Sequence, residues 1–579
     1  MTARSLLRAL VAWAVATAAV SWLVHRAFAL HVDESRPERV IVSVWRGGKR
    51  VARVVRARAG DADVTTDLAG EPGSTRVLES VVAEGPVVAW PEAALALSFV
   101  PGRDGLVARI DGRSSYLTPD DLLAMQAYDH GLTLPSLQLS MGLDLAPVLA
   151  RVADELGVSV PELAAHGSLR RIRVVRTGLV TPTMPAEDAS PAARPPTHDD
   201  LTDRNAQEAA VAMARYLARG VDDDGRFRYL VDAPTNETLA GYDWPRHAGA
   251  TYFLAQAAAL AKDGDVAFAA LRAAARLRDR ATVACGPHRC IGDAAVVDVG
   301  STALATLAFV EIARTRLDEG YAFVIPELTA FLRAQQRPDG ELMHLFDRTT
   351  HRPVDVQLLY YSGEAAFALS RAHALLGDAR DLDAARRLLA HLVGPAWSFF
   401  GSRYYRGEEH WTCQAMDDLW DRAPSTAALD FCLAWQEYGR ALMYGPADTP
   451  FDADGAYGVG PLPTPHLTPA ASRSEAGIAT LDAAIRAGRP VSERGPLEAQ
   501  NQRSLALLLR HQLRGSETSP WAHLFVEPDA IDGAMPGSEV DWHLRIDYAQ
   551  HAGSALIRWV ESRRAAGATR KDAPEGRLR

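Results

Sequence analysis

The chain has 579 residues, of which 48% are hydrophobic and 23% are charged, and its formal net charge is −10. This composition supplies enough apolar side chains for large buried cores, so the chain is not broadly disordered. The negative charge argues against a dedicated nucleic-acid binder, which would carry a basic patch. The length is that of three or four ordinary domains.

The N-terminal residues 1–30 are typical of a targeting segment. Arg4 and Arg8 precede an apolar run at 9–24, which is short for a membrane-spanning helix. Two outcomes are open: cleavage as a signal peptide after the small residues at 27–29, or retention as a signal-anchor. In either case we expect export to the periplasm or outer face of a bacterial cell, with membrane contact through this segment.

The four cysteines fit an oxidising compartment. Cys285 and Cys290 flank a four-residue stretch, and we predict a local disulfide that closes this loop. Cys413 and Cys432 lie on consecutive predicted helices, where buried thiols or a second bridge are both open.

Residues 31–183 are predicted to form a separate α+β domain. An alternating pattern predicts a hairpin around Gly47 and Gly48, and a helix is expected to begin after the capping residue Thr118. The predicted strands are 40–45, 51–55, 87–90, 94–100, 106–110 and 169–180, with a second helix at 148–156. The domain contains no phosphate-binding glycine loop and no clustered metal ligands, so no cofactor or metal site is predicted, and we expect a docking module.

Residues 184–200 are rich in proline and alanine, which is typical of a linker. From 201 to 565 nearly every segment has a helical pattern, and residues 566–579 are expected to form a disordered tail. Twelve helices are predicted, which pair into six hairpins: 204–219, 246–262, 265–280, 299–315, 322–336, 360–376, 381–393, 409–421, 425–441, 475–487, 496–513 and 548–564.

Two short sequences recur in this helical region. Residues 243–249, Asp-Trp-Pro-Arg-His-Ala-Gly, resemble 547–553, Asp-Tyr-Ala-Gln-His-Ala-Gly, and each precedes an apolar helical run. The Asp-Gly turn in 224–232 likewise resembles the one in 339–347. Because a unit that recurs along a helical chain indicates a repeat architecture, we expect the last hairpin to close a ring against the first.

On these repeats, and on the further helix starts at 360–365 and 408–415, region 201–565 resembles the six-hairpin (α/α)6 toroid superfamily. That superfamily contains glycoside hydrolases, polysaccharide lyases and sugar epimerases. The resemblance is one of architecture, and it implies a carbohydrate-active enzyme without supplying any catalytic residue.

In such a ring the starts of the inner helices converge on one end of a central cavity. The residues at these starts are unusually polar for alanine-rich helices. The candidates for catalysis are Glu364, His247, His410, His551, Asp243 and Asp547; those for substrate binding are Arg246, Trp244, Tyr361, Trp411, Gln414 and Arg545. Helix N-termini and arginines both favour anions, so an acidic sugar is a plausible ligand.

Asp243 and His247, and likewise Asp547 and His551, are four residues apart. If each aspartate lies within its helix, the pair shares one face, and the carboxylate would orient the imidazole for acid–base work. The alternative is that each aspartate caps its helix and each histidine bonds a neighbouring hairpin. The sequence leaves both interpretations open.

Glu364 enters an apolar helix, where a carboxylate needs a partner, so it is a candidate acid or base with a buried ion pair as the alternative. His410 and Trp411 could protonate and stack on a sugar ring, or Trp411 could pack in the core. Metal-dependent chemistry would draw its ligands from these histidines and Glu364.

We therefore predict an exported enzyme that acts on a cell-envelope or extracellular polysaccharide as hydrolase, lyase or epimerase. Its partners would be a carbohydrate polymer or another anionic envelope ligand, and the membrane, but not nucleic acid. The alternative is a non-catalytic scaffold that binds a polymer. The oligomeric state does not follow from the sequence.

Overall fold

The fold is taken from a computed structural model that describes residues 39–57, 73–87, 99–128, 142–180, 201–396, 410–449, 452–458, 464–515 and 519–571, with a few single residues before 39. The predicted linker 184–200, nearly all of the targeting segment and residues 572–579 of the predicted tail lie outside these residues. Residues 566–571, which were expected to belong to a disordered tail, continue the last helix instead. Among the described helices, none is long and apolar enough to cross a membrane.

The N-terminal part is a six-stranded antiparallel sheet with three short helices. The strand order is β2-β1-β3-β6-β4-β5. The elements are β1 Arg39–Arg46, β2 Lys49–Ala57, β3 Thr75–Pro86, β4 Asp104–Ile110, β5 Arg113–Leu117, α1 Pro119–Ala124, α2 Leu145–Leu156, α3 Val160–His166 and β6 Ser168–Val180.

The sheet corrects part of the strand prediction. β3, β5 and α3 were not predicted. In β3 the alternation of apolar and polar residues is hidden, because Glu79 and Glu84 lie within its apolar run. The structure buries Glu79 and places Glu84 between Arg109 and Arg170. The predicted strands at 87–90 and 94–100 fall almost wholly outside the described residues.

Twelve helices follow, in two concentric layers. The outer layer is α4 Asp203–Arg219, α6 Gly264–Arg276, α8 Ile325–Ala334, α10 Ala379–Val393, α12 Thr426–Arg440 and α14 Val491–His511. The inner layer is α5 Trp244–Ala261, α7 Val299–Arg314, α9 Tyr361–Leu376, α11 His410–Leu419, α13 Thr468–Arg486 and α15 Ile546–Lys571.

The inner helices form a closed ring. Each one packs against the next in the series α5, α7, α9, α11, α13 and α15, and α15 returns to α5. Every residue from Val299 to Ala313 in α7 is buried, as a helix enclosed on all sides requires. The predicted six-hairpin toroid is therefore confirmed.

Short strands connect the hairpins at one end of the ring. They are β7 Leu230–Asp232, β8 Glu237–Thr238, β9 Thr282–Cys285, β10 His288–Ile291, β11 Val296–Asp298, β12 Leu345–Asp347, β13 Arg352–Val354 and β14 His543–Arg545. β14 pairs with β7, so the last hairpin is joined to the first by backbone hydrogen bonds as well as by helix packing.

The Asp-Gly turns recur more often than the sequence repeats indicated. Besides Gly225 and Gly340, Gly455 and Gly533 also follow an aspartate and adopt positive φ. In all four, a Cβ would overlap a carbonyl oxygen of an outer helix, so the close approach requires glycine. The two additional turns were missed because their flanking sequences diverge.

Two disulfides join the cysteines. Cys285–Cys290 closes the β9–β10 hairpin, and Cys413–Cys432 links α11 to α12. Of the two possibilities left open for the second pair, the structure has the bridge.

The sheet and the ring share a continuous hydrophobic core among the described residues. Polar contacts cross the same boundary: Gln126 donates to Asp232 at 2.8 Å, and His523 lies 2.7 Å from Asp120. The Arg176 guanidinium donates to the Pro520 carbonyl and stacks over Trp521. The N-terminal domain is thus packed firmly on the outside of the ring.

Candidate active site at the mouth of the ring

The starts of the inner helices meet at one end of the ring, which we call the mouth. Neighbouring inner helices approach closely here because glycine replaces a side chain at the contact. A Cβ at Gly300 of α7 would overlap the Tyr361 ring of α9, and a Cβ at Gly363 would press on Trp411 and Thr412 of α11. These contacts bring polar side chains from separate hairpins within reach of one another.

Three of these side chains form what we call the mouth cluster: His410 at the start of α11, Glu475 on α13 and His551 on α15. One ligand atom from each lies within 4.8 Å of the others. His551 Nδ1 is 2.8 Å from Glu475 Oε2, and the two imidazole rings are 5.2 Å apart in an edge-to-face arrangement. Glu475 is 1% exposed and His410 3% exposed.

The mouth cluster has the chemistry of an acid–base pair. A carboxylate bonded to Nδ1 fixes the ring and its tautomer and raises its basicity, so that Nε2 is the atom that exchanges a proton with a ligand. A second imidazole a few ångströms away can supply the complementary proton. Two imidazoles and a carboxylate are also a donor set that suits a divalent metal ion.

Glu364 lies in a second group, with Asp298 and Tyr361. Glu364 is 5% exposed, and its Oε2 is buried without a hydrogen-bond partner among the described residues. Burial raises the pKa of the Glu364 carboxyl well above its usual range, and the charge of Asp298 adds to the rise. Burial therefore favours the protonated form of Glu364. No described arginine forms an ion pair with it, contrary to the ion-pair alternative.

Asp243 is not a catalytic partner of His247. It caps α5 by accepting from the Arg246 backbone N–H at 3.0 Å, and its other oxygen accepts from Tyr229 at 2.6 Å. The His247 ring lies between the Tyr242 hydroxyl, 2.5 Å from Nδ1, and an α6 carbonyl, 3.0 Å from Nε2. Burial lowers its pKa to about 4, so His247 is a neutral core residue.

Asp547 also pairs with arginine rather than with histidine. It accepts from Arg545 at 2.6 and 2.9 Å and lies 3.2 Å from Arg246 Nε. Burial acts to raise the pKa of Asp547, but the two arginines outweigh it and hold the pKa below its usual value. Of the two predicted Asp–His pairs, neither forms, because the arginines compete for the aspartates.

These ion pairs also remove the predicted anion site. Arg246 is bonded to Asp243 as well as to Asp547, and Arg545 is bonded to Asp547 and lies over the Tyr548 ring at 4.6 Å. Both guanidinium charges are thus neutralised within the protein. Among the described residues of the mouth, the balance of charge does not favour an anionic ligand.

Two of the predicted substrate-binding residues are structural. Trp411 is 2% exposed and packs between Phe367 and His410, because the α9–α11 contact leaves no open face for a sugar ring. Gln414, a turn further along α11, is buried and accepts from Arg558 at 3.0 Å. Trp244 is half-buried and lies against the rings of Tyr242 and His247.

Tyr360 was not singled out as a site residue, yet its backbone is strained. It precedes α9 with φ of 74°, a conformation that costs an aromatic residue free energy and persists where the surrounding structure enforces it. Its side chain is 40% exposed, and its ring centroid lies 6.4 Å from that of His410. Tyr360 is thus an exposed aromatic beside the mouth cluster.

The sequence interpretation also missed Glu475. We predicted that its helix begins at 475, but α13 begins at Thr468, so Glu475 lies two turns inside and faces the ring. A signal was present in the Ser-Glu-Ala-Gly sequence at 474–477, a glutamate among small residues like that at 362–365.

Comparisons with known proteins complete the description. A scan against protein-family models finds no match. A search of curated proteins finds none either.

Similar solved structures are known at low identity. D-mannose isomerase aligns with a TM-score of 0.47 and 13% identity, over 63% of this chain and 99% of that one. Cellobiose 2-epimerase from Bacillus thermoamylovorans B4167 gives 0.46 and 11%, over 62% and 98%. An unsaturated glucuronyl hydrolase specific for heparin gives 0.43 and 12%, over 63% and 99%. Because the identities and TM-scores are this low, any statement about function has to be argued from the geometry of the mouth.

Proposed function

We propose that the protein is an enzyme that transfers protons at a sugar carbon, as an epimerase or isomerase. The observation that carries this proposal is the mouth cluster: two imidazoles 5.2 Å apart, one of them held by a buried glutamate. The six-hairpin architecture is the one that the sequence resemblance associates with sugar-active enzymes. The similar structures named above include isomerase, epimerase and hydrolase, but their similarity is too low to decide between these activities.

In this proposal His551 is the base. Glu475 stabilises the positive charge that His551 acquires when Nε2 takes a proton from the carbon next to the sugar carbonyl. The electron pair of the broken C–H bond forms an enediolate, and His410 protonates either oxygen or carbon. Delivery of a proton from His410 to the opposite face of the same carbon gives the epimer. For the isomer, His410 protonates the former carbonyl oxygen, His551 returns its proton to the former carbonyl carbon, and the neighbouring hydroxyl gives its proton to His410 as it becomes the new carbonyl.

The electrostatics of the mouth support a neutral sugar as substrate. Arg246 and Arg545 are neutralised by Asp243 and Asp547. Burial favours the uncharged form of Glu364, which can donate a hydrogen bond to a hydroxyl. A substrate carboxylate would find both of these arginines already paired. This departs from the acidic sugar that the sequence favoured.

Hydrolysis is the second candidate, and Glu364 is the observation that favours it. A buried, protonated carboxyl is what a glycosidase uses to protonate a leaving group, and Asp298 is a neighbouring carboxylate. In that case Glu364 and Asp298 would be essential, and the mouth cluster would only bind substrate.

Product analysis distinguishes the two. Purified protein is incubated with neutral aldoses, neutral disaccharides and envelope polysaccharides, and the products are separated by anion-exchange chromatography. We expect a new isomer of a free sugar, lost in His551→Asn and retained in part in Glu364→Gln. Release of reducing ends that is lost only in Glu364→Gln would favour hydrolysis. Absence of any product, with saturable polymer binding, would favour the scaffold.

A metal analysis belongs in the same experiment. If the mouth cluster holds a stoichiometric divalent metal whose removal abolishes turnover, His410 and His551 act as ligands, and acid–base transfer between them is wrong. Activity that survives chelation and dialysis supports the proposal.

We propose, in addition, that the protein is exported. Support comes from the arginine-flanked apolar run at 9–24 and from the two disulfides, which form readily outside the cytoplasm. Cell fractionation tests this: we expect the protein in the periplasm or with the inner membrane, and a cytoplasmic, thiol-reduced protein would contradict it.

A further inference from the structure

A cavity of about 1090 Å³ lies where the N-terminal domain packs on the ring. Its lining comes from β3 and β6 on one side, and from α4, the end of α14 and the segment 519–542 on the other. Among the described residues that line it, none belongs to the mouth cluster. Cavities of this size at domain boundaries are common places for small-molecule sites.

Most charges in this cavity are already paired. Asp120 accepts from Arg176 at 2.5 Å and lies 2.7 Å from His523. Arg510 donates two hydrogen bonds to Asp452, at 2.8 and 3.0 Å. These pairs build rigid walls, and none of them needs a ligand.

Besides Arg103, whose Nε has no hydrogen-bond partner among the described residues, three other side chains in the cavity have unmet bonding capacity. The Gln512 amide nitrogen donates to the Ala209 and Gly533 carbonyls, which fixes the amide and leaves its buried oxygen without a partner. Glu79 is 2% exposed, and its Oε2 likewise has no hydrogen-bond partner among the described residues. Arg514, two residues beyond Gln512, makes no ion pair with a described residue, although Asp532 and Glu208 lie near enough to influence it.

We propose that this cavity is a second binding site, separate from the mouth, for a small hydroxylated carboxylate such as a sugar acid. The Arg514 guanidinium would bind the carboxylate, because its planar fork matches two carboxylate oxygens. The Gln512 oxygen would accept from one hydroxyl of the ligand, and the Glu79 carboxyl would bond another. Buried polar atoms without partners are costly, so their presence on facing walls of one cavity indicates a ligand that satisfies them.

The protonation state of Glu79 is compatible with a bound carboxylate. Burial raises the pKa of its carboxyl to about 8, and the charge of Asp120 contributes to the rise. At neutral pH Glu79 is therefore mostly protonated and donates a hydrogen bond instead of repelling the ligand. Because Glu79 belongs to the N-terminal domain and Arg514 to the ring, the bound acid would bridge the two and stabilise their contact.

Calorimetry on the full chain tests this site with D-glucuronate, D-glucose and inorganic phosphate as probes. We expect saturable binding of glucuronate only. Arg514→Gln should weaken it by about 10-fold or more, since an ion-paired hydrogen bond is lost. Arg289→Gln, on the exposed face of a distant hairpin, is the matched control and should leave the affinity unchanged.

A second variant guards against misfolding of the first. Glu79→Leu removes the buried oxygen from the other domain and should weaken binding by about 10-fold, whereas Glu79→Gln should keep it, because the protonated carboxyl and the amide are both neutral donors. Equal binding of glucose or phosphate would overturn the proposal. So would an absence of saturable binding, or binding that is lost in His551→Asn and unaffected by Arg514→Gln.

Discussion

Glu311 and Glu364 are both buried glutamates on inner helices, at opposite ends of the ring. Glu311, near the end of α7, is fully buried and receives hydrogen bonds from Arg314 and from Arg371 of α9 at 2.8 Å. Glu364, at the start of α9, has an oxygen with no partner among the described residues. Arginines thus compensate the charge of one buried glutamate, whereas burial favours the protonated form of the other.

The contrast extends to the groups around each glutamate. At the end of the ring opposite the mouth, which we call the far end, Arg371 also donates to Asp418, and Arg558 donates to Asp417 at 2.9 Å. Arg371 thus links α9 to its neighbours α7 and α11, and Arg558 links α15 to α11 across the ring. At the mouth, the carboxylate of Glu475 is used to hold an imidazole. The comparison teaches that charge at the far end cross-links the helices of the ring, while at the mouth a carboxylate holds an imidazole, as the proposed proton transfer requires.

The largest expected effect concerns the mouth. His551→Asn should lower turnover by about 10²–10⁴-fold, because a positioned acid or base contributes that much, with little change in the melting temperature. The control is His373→Asn, since His373 lies toward the far end of the ring, where its Nδ1 is 2.9 Å from the Asp378 carbonyl oxygen. A steady-state assay and a thermal melt measure the two effects, and equal activity in both variants would remove the distinction between the ends.

The second effect concerns the far end of the ring. Arg371→Met should destabilise the fold by about 3–5 kcal/mol, because it leaves a buried carboxylate with one partner fewer. Denaturant unfolding gives the free energy. Arg204→Met, which breaks an exposed pair with Glu208, is the control and should cost about 1 kcal/mol or less. A loss of less than about 1 kcal/mol for Arg371→Met would mean that the ion pairs at the far end do not stabilise the ring.

The third effect lies between the two ends, at the Cys413–Cys432 bridge on the helix that carries His410. Replacing both cysteines by alanine should cost about 3 kcal/mol, because the bridge closes a loop of roughly 20 residues, against about 2 kcal/mol for the shorter Cys285–Cys290 loop. Chemical denaturation of the two double variants tests the order. A reversed order would show that native-state packing outweighs loop closure.

The smallest effect is a pH dependence at Glu364. Its pKa is raised on folding, so the stability it contributes is complete below its unfolded pKa and is lost as pH rises toward the folded value. Glu364→Gln has no such loss, and its stability relative to the natural chain should grow between pH 5 and pH 8. Over that range the free energy of unfolding of the natural chain should fall relative to that of the variant. Parallel pH profiles would contradict the raised pKa.

Much of the ring could be predicted from the sequence because its signals are local. Alanine-rich runs, Asp-Gly turns and the recurrence of 243–249 at 547–553 each specify one hairpin or one closure, and α5, α7 and α15 begin within two residues of their predicted starts. Helix boundaries that depend on tertiary contacts were harder, as at α13.

The mouth cluster could not be predicted in the same way. Its three members come from α11, α13 and α15, and which histidine meets which carboxylate is decided by helix packing. The spacing of Asp547 and His551 favoured a local pair, but arginines took the aspartate and a glutamate 76 residues away took the histidine. The four-residue spacing identified two aspartates and two histidines as candidates, but it did not identify the residues that they contact in the fold.

The measurement that tests the central claim most directly is proton exchange at the sugar carbon. The protein is incubated in ²H₂O with the neutral sugar that it converts, and deuterium next to the carbonyl carbon is followed by NMR. Proton transfer by the mouth cluster predicts incorporation by the natural chain and by Arg371→Met to the extent that it is folded, and none by His551→Asn. Conversion of substrate without any deuterium incorporation, or incorporation that persists in His551→Asn, would contradict it.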